Sequence, residues 1–170
     1  MIKSQYNVIE KYSPSTYNTP QITLAKENYR VMKIAYIMRG VSGSGKSTMV
    51  RRLIDGEPSA SVHSTDSYFM VGGTYVFDGR KLQEYHDRNK AAFEQSLRDG
   101  VEIVVCDNTN VRVAHMLPYI EMARRYGYTV RVIEMPHPTA AVAAQRNTHG
   151  TNEQGIQRML DNWEPWDEKA

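Results

Sequence analysis

The chain has 170 residues, 41% apolar and 24% charged, with a formal net charge of +2 and one cysteine. This balance suits one globular domain with a real hydrophobic core. It excludes a disulfide scaffold and a strongly basic nucleic-acid tail, and no apolar run approaches a membrane span. The lone Cys106, inside "VEIVVC", points to a reducing compartment, the cytoplasm.

Residues 1 to 30 are rich in Tyr, Ser, Thr, Asn and Pro and show no period. They predict an N-terminal extension, partly disordered or adding a strand, ahead of a domain over 31–170. The first twenty residues lack the apolar h-region of a secretion signal. From Lys33 a regular alternation begins. "KIAYIMR" reads as a strand, followed by a glycine-rich turn and a helix from about Gly45 to Asp55, stopped by Gly56 and Pro58. "SASVHSTD" is a second strand with a polar tip, and "MVGGTYVFDG" is a loop or hairpin turning at Gly72-Gly73. A helix spans Arg80 to Arg98, with Leu82, Tyr85, Ala92, Phe93 and Leu97 on one face. "VEIVVCD" has the continuous apolar character of a buried parallel strand. In the next segment Pro118 predicts that the helix starts or kinks there. "YTVRVIEM" is a fourth strand. Thr139 can cap a helix running to Arg146, and Ile156, Met159, Leu160 and Trp163 mark a last amphipathic helix.

Strands separated by helices predict an α/β fold: a mainly parallel sheet with helices on both faces, a three-layer αβα sandwich. Ligands then sit at the carboxyl ends of the strands, so the polar residues after each strand matter most. After the first strand, Gly40, Gly45, Lys46 and Ser47 satisfy G-x-x-x-x-G-K-[ST], the phosphate loop of P-loop NTPases. The dinucleotide fingerprint fails, because its third glycine position holds Thr48. Such a loop, Gly40 with Ser42, Gly43, Ser44, Gly45, Lys46, Ser47 and Thr48, turns its backbone N–H groups inward onto phosphates. Lys46 reaches the β and γ phosphates, and the Ser47 hydroxyl can bind Mg²⁺.

Three further positions have a functional and a local reading. Asp66, the only carboxylate at the tip of the second strand, can orient an attacking hydroxyl or cap the next turn. Asp107, ending the central strand, can hold Mg²⁺ or make an Asx turn with Asn108. Arg146, before a polar Gly-containing loop, can close over phosphates or sit solvated at a helix end. Tyr68, Phe69 and Tyr75 form a small core or stack an acceptor base; Arg51-Arg52 and Arg124-Arg125 read as solvated helix faces. The histidines show no metal-ligand spacing.

The ordered series "MRGVSGSGKST", "STDSYF", "VVCDNTN", "PYIEMARRYGYTV" and "RNTHG…IQRMLDNWE" resembles the polynucleotide 5′-kinase-like branch of the P-loop kinases, alongside the zeta-toxin and AAA-type small kinases. The similarity runs from Lys33 to Trp163. It implies a P-loop fold with a helical lid, and transfer of the γ-phosphate of ATP or another NTP, with Mg²⁺, to a hydroxyl. The family's usual acceptor is the 5′-OH of DNA or RNA. The resemblance assigns Lys46 and Ser47 to donor and Mg²⁺, Asp107 to the metal or acceptor, Asp66 to the general base and Arg146 to the lid. The sequence shows no partner domain for phosphatase or ligase work, so it reads as a stand-alone kinase. The chain departs from the family where Ser67 follows Asp66, where Phe69 replaces an acceptor-gripping arginine, and where His149 replaces a second lid arginine. These departures keep open a modified DNA base, a nucleoside or another small hydroxyl compound as acceptor. A different class, an NTPase or NTP-binding regulator without acceptor, is disfavoured by Asp66.

Overall fold

The computed structural model describes residues 32–167. The expected extension over residues 1 to 30 lies outside them. Four strands pair in parallel: β1 (Ile34–Arg39), β2 (Ala60–His63), β5 (Ile103–Cys106) and β6 (Thr129–Glu134), in the order β2-β5-β1-β6. A two-stranded hairpin, β3 (Met70–Val71) and β4 (Thr74–Tyr75), stands apart from this sheet. Its turn residues, Gly72 and Gly73, have φ of 56° and 84°. Two consecutive positive φ values make the tight turn that matches strand twist, and glycine adopts them without steric cost.

The period of two along each strand divides the core. Ala35 and Ile37 of β1 and Val104 and Cys106 of β5 face α2 (Leu82–Arg98) and α3 (Val113–Arg125), meeting Phe93, Leu97, Met116 and Ile120. Met38 and Val105 face the other way and pack with Val50 of α1 (Lys46–Leu53). Helices therefore cover both faces, as the alternation of elements predicts. A third cluster joins Val41 to Ala140 and Ala143 of α4 (Ala140–Arg146) and Ile156 of α5 (Glu153–Asp161). This small core seats the α4–α5 pair beside the phosphate loop. Thr139 caps α4 as expected, its hydroxyl accepting from the Val142 N–H at 3.3 Å.

Two expectations need correction. α3 starts five residues before Pro118 and runs through it. Pro118 forfeits one intrahelical bond near the start of the helix. The buried face of Met116, Tyr119, Ile120 and Ala123 holds the helix together regardless. Its first N–H, that of Val113, also donates to Glu164 Oε2 at 2.7 Å. The long helix before β5 begins at Leu82, after a 3₁₀ turn at Gly79–Lys81. Its buried side chains are Asn89, Phe93 and Leu97, while Leu82 stays exposed at its start.

The largest fully buried side chain belongs to Arg39, the last residue of β1. Its guanidinium donates to Glu134 Oε2 (2.8 Å), Asn110 O (3.1 Å), Val111 O (3.2 Å) and Glu164 O (2.6 Å). It also lies 4.4 Å from the ring centre of Trp163. One fork of donors thus ties β1 to β6, to the loop after β5 and to the chain after α5.

Arg39→Ala should lower stability by roughly 3 kcal/mol in urea denaturation, because it strands three carbonyls and a carboxylate. Arg39→Lys should recover only part of the loss, since one ammonium cannot reach all four acceptors.

Candidate active site

Chain path sets where the site forms. From β1 the chain passes through α1 on one face of the sheet. From β5 it passes through α3 on the other. Because β1 and β5 are neighbours, their carboxyl ends border a crevice at the point where connections diverge. The loop after β1 carries the glycine motif, and the loop after β5 carries "DNTN".

Within the glycine loop, Gly40, Gly43 and Gly45 all have positive φ, with values of 156°, 78° and 96°. Gly45 is also the N-cap of α1 and supplies no side-chain cap, so the first N–H groups of that helix face the crevice. Lys46 is 9% exposed, and its Nζ donates to Gly40 O (2.9 Å) and Val41 O (3.1 Å). Burial holds its pKa below the ordinary lysine value, opposed by the charges of Asp107 and Asp66. The hydroxyl of Ser44 is buried inside the loop without a hydrogen-bond partner.

Ser47 Oγ donates to Asp107 Oδ2 at 2.8 Å, while Asp107 Oδ1 is buried and has no hydrogen-bond partner. A buried, half-satisfied carboxylate beside a hydroxyl fits a hard divalent cation such as Mg²⁺. That ion takes one or two protein oxygens and completes its shell with phosphate and water. Among the described residues no group of three or more His, Cys, Asp or Glu could hold a metal, so such a cation would rely on phosphate oxygens from a nucleotide.

Gly43, Gly45, Lys46, Ser47 and Asp107 line a cavity of about 330 Å³ together with Ser42, Thr48, Asp66 and Arg146. Arg146 ends α4, is exposed and, among the described residues, has no hydrogen-bond or ion-pair partner. The following turn is pre-shaped: Asn147 Oδ1 accepts from the His149 N–H, and Asn147 Nδ2 donates to Thr151 O. Arg51, read from the sequence as part of a solvated face, also lines this cavity and donates to Ser47 O at 3.3 Å. Its signal was its place one helical turn beyond Ser47.

Asp66 lies in the 3₁₀ turn Thr65–Phe69 after β2. Tyr75 Oη donates to Asp66 Oδ1 at 3.0 Å, and burial followed by the Asp66 charge pushes the Tyr75 phenol pKa up. A second cavity, about 520 Å³, opens beyond this carboxylate, lined by Tyr75, Phe77, Leu82, His149, Arg158 and Met159 among others. Ser42, Asp66, Thr109 and His149 line both cavities. Tyr75 also meets the loop after α4, with its ring 4.6 Å from that of His149. Phe69 is 2% exposed and packs against Phe77 and Tyr85, which decides it as small core rather than a stacking platform.

Sequence reasoning missed the division of labour in "DNTN". Asn108 Oδ1 accepts from the Thr65 N–H at 2.9 Å, fixing the turn that carries Asp66, and its Nδ2 donates to Tyr119 Oη. Thr109 O accepts from the Gly40 N–H at 2.9 Å. Asn110, at φ 45°, donates to Met38 O and supports the Arg39 fork through its own carbonyl. Only the run of short polar residues after an apolar strand hinted at this.

Comparison with known proteins bears on the family and the fold. The family model described as "AAA domain" matches residues 36–165. Human NEDD4-binding protein 2 is 32% identical over 148 residues, which cover 85% of this chain and 8% of that protein. The chain spans less than a tenth of the human relatives it matches, NEDD4-binding protein 2 and YLP motif-containing protein 1 (8% and 7%). Among solved structures, the Pnkp1/Rnl/Hen1 RNA repair complex has a chain with TM-score 0.58 and 18% identity, covering 81% of this chain and 46% of that one. A gluconokinase from Sinorhizobium meliloti 1021 gives 0.51 and 22%, covering 77% and 75%. At these identities the two structures bear on the fold alone.

A Cβ at Gly43 would collide with the backbone carbonyl of Ala143 in α4. Gly43→Ala should therefore push α4 off the loop and weaken ATP binding by about tenfold or more, read by isothermal titration calorimetry.

Proposed function

Because the chain belongs to the AAA domain family, within its P-loop kinases, we propose that it transfers the terminal phosphoryl group of ATP or another NTP to the 5′-hydroxyl of DNA or RNA. The observation that carries this reading is the position of Asp66. It lines the phosphate-loop cavity and the larger cavity beyond, so one carboxylate stands where a donor phosphate and an acceptor hydroxyl would meet. An NTPase, whose attacking group is water, needs no acceptor cavity of this size.

In this reading Lys46, the glycine-loop N–H groups and the α1 N-terminus hold the β and γ phosphates. Ser47 and Asp107 hold Mg²⁺, which when bound neutralises phosphate charge as it builds up. Asp66, steadied by Tyr75, accepts the proton of the acceptor hydroxyl as its oxygen attacks the γ phosphorus, and the nucleoside diphosphate departs. Arg146, free of other partners, stabilises the transferring group from the lid. The body of the acceptor occupies the larger cavity against Tyr75, Phe77, Leu82 and Met159. A small hydroxyl compound or a modified base is the second reading, favoured by the apolar character of that wall.

The test incubates the protein with γ-labelled ATP, Mg²⁺ and a panel of 5′-OH oligonucleotides, hydroxymethylated DNA, nucleosides and sugars. Label on 5′ ends is expected. Label on an internal base or a small molecule would replace the acceptor, and free phosphate alone would remove the kinase reading. Lys46→Ala should lose use of the donor. Asp66→Asn should keep ATP affinity while transfer falls by about 10²-fold or more; loss of ATP affinity in that variant would contradict the role given to Asp66.

A further inference from the structure

Among the described residues, the Asp66 carboxylate receives one hydrogen bond, from Tyr75 Oη to Oδ1 at 3.0 Å. Its second oxygen, Oδ2, has no donor from the protein. Burial and the Asp66 charge hold the Tyr75 phenol pKa up, so the phenol keeps its proton and is the donor of the pair. Tyr75 belongs to a hairpin of two residues a side, paired as Met70 with Tyr75 and Val71 with Thr74. A hairpin that short is not stable alone. This one folds back on Phe69, whose ring lies 5.8 Å from that of Tyr75 and 5.0 Å from that of Phe77. The Phe69 carbonyl accepts from the Val76 N–H at 2.8 Å. The segment Phe69–Phe77 carries no charged side chain. It adds Tyr75 and Phe77 to the wall of the larger cavity, and of these only Tyr75 has a polar group. What the hairpin brings to Asp66 is therefore one hydroxyl.

The same ring reaches the loop after α4. Tyr75 and His149 lie 4.6 Å apart between ring centres, tilted by 48°. Among the described residues the His149 imidazole makes no hydrogen bond or ion pair, so its side chain acts here by ring packing, which favours one mutual geometry. The His149 N–H donates to Asn147 Oδ1 at 3.0 Å, and Asn147 directly follows Arg146. A short, internally braced turn thus joins the arginine of the phosphate-loop cavity to the ring against Tyr75. His149 lines both that cavity and the larger one.

We propose that Tyr75 and His149 are a pair of positioning residues that make the alignment of Asp66 depend on the seating of the Arg146 loop. The proposal rests on the reading of Asp66 as the base at the acceptor hydroxyl. Tyr75 holds Oδ1, which leaves Oδ2 for the acceptor. His149 holds the Tyr75 ring, so the hydroxyl keeps its direction while the loop after α4 lies against the hairpin. Donor phosphates that draw Arg146 inward seat that loop, and with it the base. The carboxylate is then set for the acceptor when the donor is in place.

Tyr75→Phe keeps the ring and removes only the hydroxyl. With the acceptor that the labelling panel identifies, kcat should fall by about tenfold while KM for ATP holds. His149→Ala should give the same split. His149→Phe, which restores a ring without the imidazole nitrogens, should recover kcat. Unchanged kcat in Tyr75→Phe or in His149→Ala overturns the proposal, as does a loss confined to ATP affinity. A His149→Phe variant as slow as His149→Ala makes His149 a polar group rather than a packing one, and overturns the pairing. Nuclear magnetic resonance of the full chain, with tyrosine carbon-13 labelled at Cζ, reads the link without any acceptor. The Tyr75 signal is the one missing from Tyr75→Phe. It should shift in Asp66→Asn and on addition of the non-hydrolysable analogue AMPPNP with Mg²⁺. The response to AMPPNP should vanish in His149→Ala and return in His149→Phe. A signal indifferent to AMPPNP, or equally responsive without the His149 ring, overturns the dependence on the loop. Transfer by the wild-type chain with no loss in either variant defeats the positioning pair alone. No labelled acceptor, with a Tyr75 signal that still answers to AMPPNP through His149, defeats the kinase reading and leaves the link standing.

Discussion

The guanidinium of Arg39 is the constraint on which the site depends. An arginine buried to 0% exposure is stable only when its donors are all engaged. Here four acceptors come from three separate stretches of chain: Asn110 and Val111 after β5, Glu134 at the end of β6, and Glu164 beyond α5. Meeting that demand brings the carboxyl ends of β1, β5 and β6 into one plane. The next residue is Gly40, so the phosphate loop leaves β1 from a point that cannot drift. Trp163 covers the guanidinium face and joins His137 at 4.2 Å between ring centres.

From that fixed point the site is assembled by short polar residues bridging loops. The Thr109 carbonyl holds the entry to the glycine loop, Asp107 meets Ser47, and Asn108 holds the turn bearing Asp66. Phosphoryl transfer asks little covalent chemistry of a protein and much positioning. Four consecutive residues after the most buried strand supply that positioning to the glycine loop, to the candidate metal site and to the candidate base. The hairpin adds a further brace through the Tyr75–Asp66 hydrogen bond, and the contact of Tyr75 with His149 links it to the loop after α4.

Legibility in the sequence followed the range of each interaction. The strands and helices, the Gly72-Gly73 turn and the Thr139 cap depend on neighbours within a few residues and were readable from period and turn chemistry; the parallel sheet covered on both faces followed from their alternation through the crossover rule. The start of α3 was misread, because Pro118 is a local signal against a helix while the burial of Met116, Tyr119 and Ile120 is a tertiary one, and burial outweighs one lost bond. Phe69 stayed ambiguous until its ring was seen against Phe77 and Tyr85. Arg51 looked solvated because a pair of helical arginines carries no mark of the cavity beside it.

The amino-acid order by itself determined the phosphate loop, since glycines at positive φ, the lysine and the serine act on a ligand through backbone and side chains six or seven residues apart. It also determined that Asp66, Asp107 and Arg146 follow successive elements, and therefore that they gather at one end of a parallel sheet. Only the tertiary structure decided what those residues face. Cavity continuity through Asp66, the meeting of Asp107 with Ser47, and the hold of Asn108 on the turn bearing Asp66 each join elements far apart in the chain. Such meetings are set by how helices pack across the sheet, and no local pattern encodes them.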